Sequence, residues 1–230
     1  MRVIFIFLTL LMYGCASQPE INNANEAVKL TKKESLNSAY RMILKGNYTG
    51  ALDKHLKALA TECEAEFSDS DETVYVSRSN TGTTYLLLTA GFKGVNAKVI
   101  NTPCAKAFYY TGYANLEIGE INDGEKYIKK AVEMSPLNSY YLSELAYIYQ
   151  LNKKFELALA TFIKSEKLAQ NFSPDKVKLD ELSRAKRGTG SVLIDLGRLS
   201  EAKVKFQECL KLNPEDKSAL GELKYIQSIE

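Results

Sequence analysis

The chain repeats itself at a fixed spacing, and that repetition limits its fold more than any other feature. Gly112, Gly119, Ile121, Gly124, Ile128 and Ala131 return 34 residues on as Ala146, Lys153, Phe155, Ala158, Phe162 and Ser165. They return 44 residues further on as Gly190, Gly197, Leu199, Ala202, Phe206 and Cys209. Apart from Lys153, each column keeps one character: small, turn former, apolar, small, large apolar, small. Units of this period cannot bury a core alone and must stack on their neighbours. Two antiparallel helices approach to about 8–10 Å where the facing side chains are small. The columns therefore predict Gly112 facing Gly124, Ala146 facing Ala158 and Gly190 facing Ala202, with the large apolar column filling the space beside each contact. The second column is where each hairpin must turn, which favours a positive φ.

This small–small–small register, closed by Pro136 and Pro214 in the first and third copies, resembles the tetratricopeptide repeat, a helix–turn–helix unit of about 34 residues. Phe108 and Leu142 stand where that family usually has a first-helix Trp. The resemblance implies a mainly α-helical solenoid that binds a protein or peptide on a concave groove lined by the first helix of each pair. Carried onto this chain, the groove is expected to expose Tyr109, Tyr113 and Leu116, then Tyr140, Ser143, Tyr147 and Gln150, then Arg184, Arg187, Ser191 and Ile194. Each set keeps helical spacing and so forms one stripe. Tyrosine and arginine are frequent interface anchors. The expected groove is aromatic with a basic end, suited to a peptide carrying an acidic group. The family's Lys–Asn carboxylate clamp is not reproduced, so chaperone tails are not expected ligands.

Stepping back 73 residues from the first clear copy reaches Ala39, Gly46, Tyr48, Ala51, His55 and Ala58, a weaker version of the same columns. That offset is one 34-residue repeat and 39 further residues, so the expected plan is a degenerate first hairpin over 26–64, an insertion over 65–104 and three repeats with a cap over 105–230. In the insertion, Ser68 to Glu72 reads as a loop and Thr73 to Ser77 as a strand. Asn80 or Thr81 would cap a helix through Ala90, and Ala97 to Ile100 would form a second strand. A small βαβ element fits this order, and so does a helical hairpin whose repeat marks have decayed. Asn122-x-x-Glu125 has capping-box spacing. Ser173-Pro174 reads as a fresh helix start, running toward Leu196. Lys217 to Ile229 is amphipathic and would cap the array.

Residues 1–14 read as an export signal, with Arg2 before the apolar run Val3 to Met12. About ten residues is too short to span a bilayer, which takes roughly 20. Gly14-Cys15 resembles a bacterial lipobox, although Tyr13 replaces the usual small residue. The resemblance implies lipidation of Cys15, an outer-membrane address facing the periplasm because Ala16 rather than Asp follows, and a polar tether over 15–25. The alternatives are an ordinary signal with cleavage elsewhere and an uncleaved anchor. In such an oxidising compartment Cys63 and Cys104 bracket the insertion. A bridge between them would close a loop of about 40 residues and contribute roughly 3–4 kcal/mol. Cys209, inside a small-residue column, reads as a buried thiol.

Chemistry is sparse. His55 is the only histidine and falls in the large apolar column, so no two-His metal site can form and no metal is expected. Gly188-Thr189-Gly190 lacks phosphate-loop spacing, and Asp180-Glu181 reads as a solvated helix face. With 30 basic and 28 acidic residues the formal net charge is +2, which gives no reason to expect nucleic acid. No cofactor and no small-molecule substrate are expected. The expected function is a lipid-anchored periplasmic adaptor for envelope assembly or a secretion or pilus system. The alternative is an envelope enzyme or enzyme subunit with its site in 65–104.

Overall fold

A computed structural model describes residues 30–68 and 71–229. The export signal, Cys15 and the tether lie outside the described residues, as do Asp69 and Ser70 of the expected loop. The described chain is a run of antiparallel helical hairpins. The first pairs α1 (Lys32–Ile43) with a helix built of α2 (Tyr48–Ala51), a π-helical turn (Leu52–Leu56) and α3 (Lys57–Phe67). Then come α5 (Cys104–Glu117) with α6 (Ile121–Met134), α7 (Ser139–Leu151) with α8 (Phe155–Phe172), and α9 (Asp175–Asp195) with α10 (Leu199–Leu212). The final helix α11 (Lys217–Ile229) packs Ala219 and Ile226 against Phe206 of α10 and caps the array.

The columns do what their chemistry requires. All four turn positions have positive φ: Gly46 at 71°, Gly119 at 88°, Lys153 at 58° and Gly197 at 71°. Lys153 adopts this backbone without being glycine, which explains the exception in its column. The small residues Ala39, Ala51, Ala131, Ala146, Ala158, Ser165, Ala202 and Cys209 are fully buried. A Cβ on Gly112 would come within 2.9 Å of the Ile128 backbone nitrogen, and one on Gly124 within 3.3 Å of the Gly112 carbonyl oxygen. There the two backbones meet without a side chain between them.

Three local expectations are corrected. His55 is not the large core residue of the first hairpin; it is half-buried, and Leu56 fills that place with Leu59. The π turn adds one residue to the helix, so the buried column advances from 55 to 56 and from 58 to 59. Helix α6 starts at Ile121, before Asn122, with no side-chain cap; Glu125 pairs with Lys129 at 2.6 Å. The capping box present is Thr31 with Glu34, at the start of α1. Helix α9 starts after Pro174 without a serine cap and runs unbroken through Gly188. A Cβ on Gly188 would penetrate the Phe162 ring.

The insertion is the βαβ alternative. Strands β1 (Thr73–Tyr75) and β2 (Ala97–Val99) pair in parallel, Thr73 opposite Ala97 and Tyr75 opposite Val99, with α4 (Asn80–Phe92) connecting them. Ser79, rather than Asn80 or Thr81, caps α4 by accepting from the Gly82 N–H. The element is fastened to the turn between α6 and α7. The Val76 N–H donates to the Met134 carbonyl at 2.7 Å, and the Ser135 hydroxyl to the Val76 carbonyl at 2.9 Å. Cys63 and Cys104, 41 residues apart, form a disulfide at its base with Cα atoms 5.6 Å apart. Cys209 is a free, buried thiol. Helices α8 and α9 run past the ordinary repeat length, and their extra turns receive the insertion: the Tyr85 and Phe172 rings lie 4.9 Å apart.

Candidate ligand cleft

The first helices of successive hairpins, α1, α5, α7 and α9, share one face. A cleft of about 470 Å³ opens on it, lined by Tyr40 of α1, Lys106, Tyr110 and Tyr113 of α5, and Tyr140 and Tyr141 of α7. Its rings hold one another. Tyr40 stacks on Tyr110 at 5.4 Å, Tyr109 on Tyr141 at 4.8 Å, and Tyr109 meets Tyr140 edge-on at 5.5 Å. Tyr48 adds an edge contact to Tyr113 at 6.0 Å. Such arrangements favour rigid rings, and within the cluster the Tyr109 hydroxyl bonds with that of Tyr140 and the Tyr113 hydroxyl with Glu117 and Tyr48. Burial pushes the Tyr110 phenol up to about 12 and raises Tyr109, Tyr113 and Tyr141 as well. These groups are neutral donors at physiological pH.

Beside this cleft lies a buried ion pair. Arg78, from the insertion, donates to both carboxylate oxygens of Glu181 on α9, at 2.5 and 2.8 Å. Ser139 and Ser173 also donate to Glu181. Burial alone would raise the Glu181 carboxyl, but donation from Arg78, Ser139 and Ser173 outweighs it and holds the group below its usual range. Glu181 is therefore not on a solvated helix face. Its bidentate, charge-assisted pair fixes the insertion against the third clear repeat.

A second cleft of about 550 Å³ lies between α9 and the turn before α11, lined by Tyr140, Leu179, Asp180, Arg184, Arg187 and Asp216. Here the expected basic end is corrected. Arg184 pairs with buried Glu144 while its guanidinium lies 4.5 Å from the Tyr140 ring centroid. Arg187 Nη1 lies 2.5 Å from Asp216. Both positive charges are spent inside the scaffold. Lys106 is the cation left facing the tyrosine cleft, exposed and without an ion pair among the described residues.

The other expected groove residues divide. Tyr113 and Tyr140 line the tyrosine cleft half-buried, and Tyr109 lines it from a buried position. Tyr147 is 47% exposed. Leu116 is corrected to a hairpin contact, because it covers Gly124. Ser143 is corrected to a buried position, its hydroxyl 2.8 Å from that of Ser165. Gln150 donates to Ser191 at 3.0 Å and to Asp195 at 2.5 Å, so it and Ser191 bridge neighbouring repeats. Ile194 packs in the third clear repeat's core. Missing from the expected groove were Tyr40, Arg78, Lys106, Tyr110 and Tyr141. A signal existed for two of these: Lys106, Tyr110 and Tyr113 sit at i, i+4 and i+7, one position round the helix from the stripe through Tyr109 and Leu116. Among the described residues no group of three His, Cys, Asp or Glu is placed to hold a metal ion.

Residues 190–216 match the family model described as tetratricopeptide repeat. No curated protein matches the sequence. Among solved structures, the chain is similar to the Pseudomonas aeruginosa pilF protein at 15% identity and a TM-score of 0.58, over 86% of this chain and 68% of that one. It is similar to a MamA double mutant (RS-1 ArsTM) at 16% identity and a TM-score of 0.56, over 86% and 84% of the two chains. MamA itself aligns at 14% identity and a TM-score of 0.52, over 83% and 82%. At these identities the likeness is one of fold.

Proposed function

We propose that the chain, which carries a tetratricopeptide repeat over residues 190–216 and the fold of such repeats, is a scaffold that holds a segment of a protein partner in the tyrosine cleft. The observation that carries this reading is the cleft itself: rigid, neutral rings from three successive first helices, with Lys106, which has no ion pair among the described residues, at their side. Preformed aromatic surfaces of this kind bind with little ordering cost. The ligand they favour is an extended or helical segment with apolar or aromatic side chains and one carboxylate for Lys106. The envelope role, in assembly or in a secretion or pilus system, is part of this proposal and rests on the signal-like start of the chain. The signal-like start and Gly14-Cys15 favour a lipid-anchored protein on the periplasmic side of the outer membrane.

The test is capture of partners by crosslinking in intact cells, comparing the parent chain with Lys106→Glu and with the pair Tyr40→Ala and Tyr110→Ala. Both variants should lose the captured protein, with affinity falling about tenfold or more if these residues act as interface anchors. Arg184 and Arg187 are poor choices for this test, because their substitution breaks internal pairs. Undiminished capture by the Lys106 and tyrosine variants would remove the cleft from the function.

A further inference from the structure

The insertion carries an apolar surface that the scaffold reading leaves unused. From Asn80 to Phe92, α4 contains no charged residue. Gly82, Leu86 and Ala90 form its buried side. The opposite side starts with Asn80, Thr81 and Thr84 and then turns apolar: Leu87, Leu88 at 58% exposure and Phe92 at 89%, followed by Val95 in the next turn. Lys93 stands beside them. A contiguous bare patch of leucine and phenylalanine at a helix tip marks a surface that is covered in use.

The fold says where that tip lies. Because Thr73 pairs with Ala97, the turn after α4 sits beside the start of β1, shortly after α3 ends at Phe67. Glu66, in the last turn of α3, pairs with Lys32 in the first turn of α1. The start of α1 therefore lies beside the end of α3 that leads toward β1 and the tip of α4. Cys15 lies 15 residues before Leu30, a span of at most about 55 Å.

We propose that the tip of α4 seats in the lipid bilayer, with Leu88 and Phe92 at the acyl boundary and the Lys93 ammonium at the headgroups. The choice of lipid over protein rests on the anchoring reading given above and on the uncharged apolar face. Lys93 follows the helix, and α4 itself carries no charge. Of the described acids just before β1, Glu72 is paired with Lys98 at 2.7 Å while Asp71 is exposed, so the apolar face rather than a net positive charge supplies the attraction. At 13 residues α4 cannot cross a membrane, and no described helix is long and apolar enough to do so. Shallow seating is the geometry that remains.

The chain has no tryptophan, so Phe92→Trp supplies the sole indole, at the tip, excited at wavelengths too long for the tyrosines. The full-length purified chain is placed in phosphatidylethanolamine–phosphatidylglycerol vesicles, with and without brominated acyl chains. The expected result is a blue shift of emission and its quenching by the brominated lipid, while Tyr147→Trp on the cleft face shows neither. A chain that floats with vesicles while Phe92→Trp stays unquenched overturns the proposal and leaves the anchor standing. Quenching that persists in the Cys15→Ser chain supports the tip and counts against dependence on the anchor. A blue shift without vesicles that grows with protein concentration assigns the patch to a second copy and overturns the proposal.

Discussion

Single residues in this chain are decided by register and by charge pairing. The π turn moves the buried column by one, so Leu56→Ala should cost about 2–5 kcal/mol, as a fully buried leucine does. His55→Ala should cost less than about 0.5 kcal/mol; urea unfolding of both variants measures the difference. An unbroken α-helix would place 55 in the core and reverse the order. Arg78 and Glu181 form a pair whose loss on one side strands a charge. Arg78→Met is therefore expected to destabilise by about 3 kcal/mol, the lower end for a buried pair because Arg78 is partly exposed. The Glu181 carboxyl is held below its unfolded value, so its contribution is complete above the ordinary carboxylate range, about pH 4–5, and is lost as pH falls through the depressed value. Glu181→Gln should remove that part of the acid-side slope when the urea midpoint is followed against pH. A slope equal to the parent's would show that Glu181 is not held below its usual range.

At the scale of elements, the lengthened second hairpin and the insertion complete each other. Phe172 and Ser173 exist only because α8 outruns the repeat, and they receive Tyr85 and Arg78 from the insertion. Gly188, in the long α9, is part of the same adjustment, since the buried Phe162 ring occupies the space of its missing side chain. Replacing a helical glycine by alanine normally stabilises by about 1 kcal/mol. Here Gly188→Ala should instead destabilise by about 1–3 kcal/mol through overpacking, read as a lowered thermal midpoint. A raised midpoint would mean that Phe162 is free to move.

Across the whole molecule, the tyrosine rings join three successive hairpins at this face. Burial raises the phenols of Tyr109, Tyr110, Tyr113 and Tyr141 above their unfolded value of about 10. Their contribution is fully present below about pH 10 and is lost as pH rises toward about 12, because the unfolded chain ionises first. Phenolate absorbance should show a group of tyrosines that titrates late and together with loss of helical circular dichroism. A single titration centred near pH 10, with helicity intact, would contradict the buried cluster.

How much of this was readable beforehand follows from range. The repeat columns act between helices adjacent in sequence, so Gly112 with Gly124, the turn at Gly119 and the cap over the last hairpin could all be read from spacing. The cleft could be read only as a helix face, and a face is uncertain by one position in the turn: hence Leu116 where Lys106 and Tyr110 belong on α5, and Ser143 where Tyr141 belongs on α7. A local sequence signal also cannot show which charges cancel. Arg184 and Arg187 look like ligand groups until Glu144 and Asp216, on other elements, are brought against them. The sequence by itself determined stacked hairpins, because small residues at fixed spacing permit little else. The tertiary structure alone decided that the insertion is βαβ, that its Arg78 reaches Glu181 across 103 residues, and that Lys106 is the cation left facing the cleft. Those outcomes depend on long-range partners whose desolvation and pairing no nearby residue dictates.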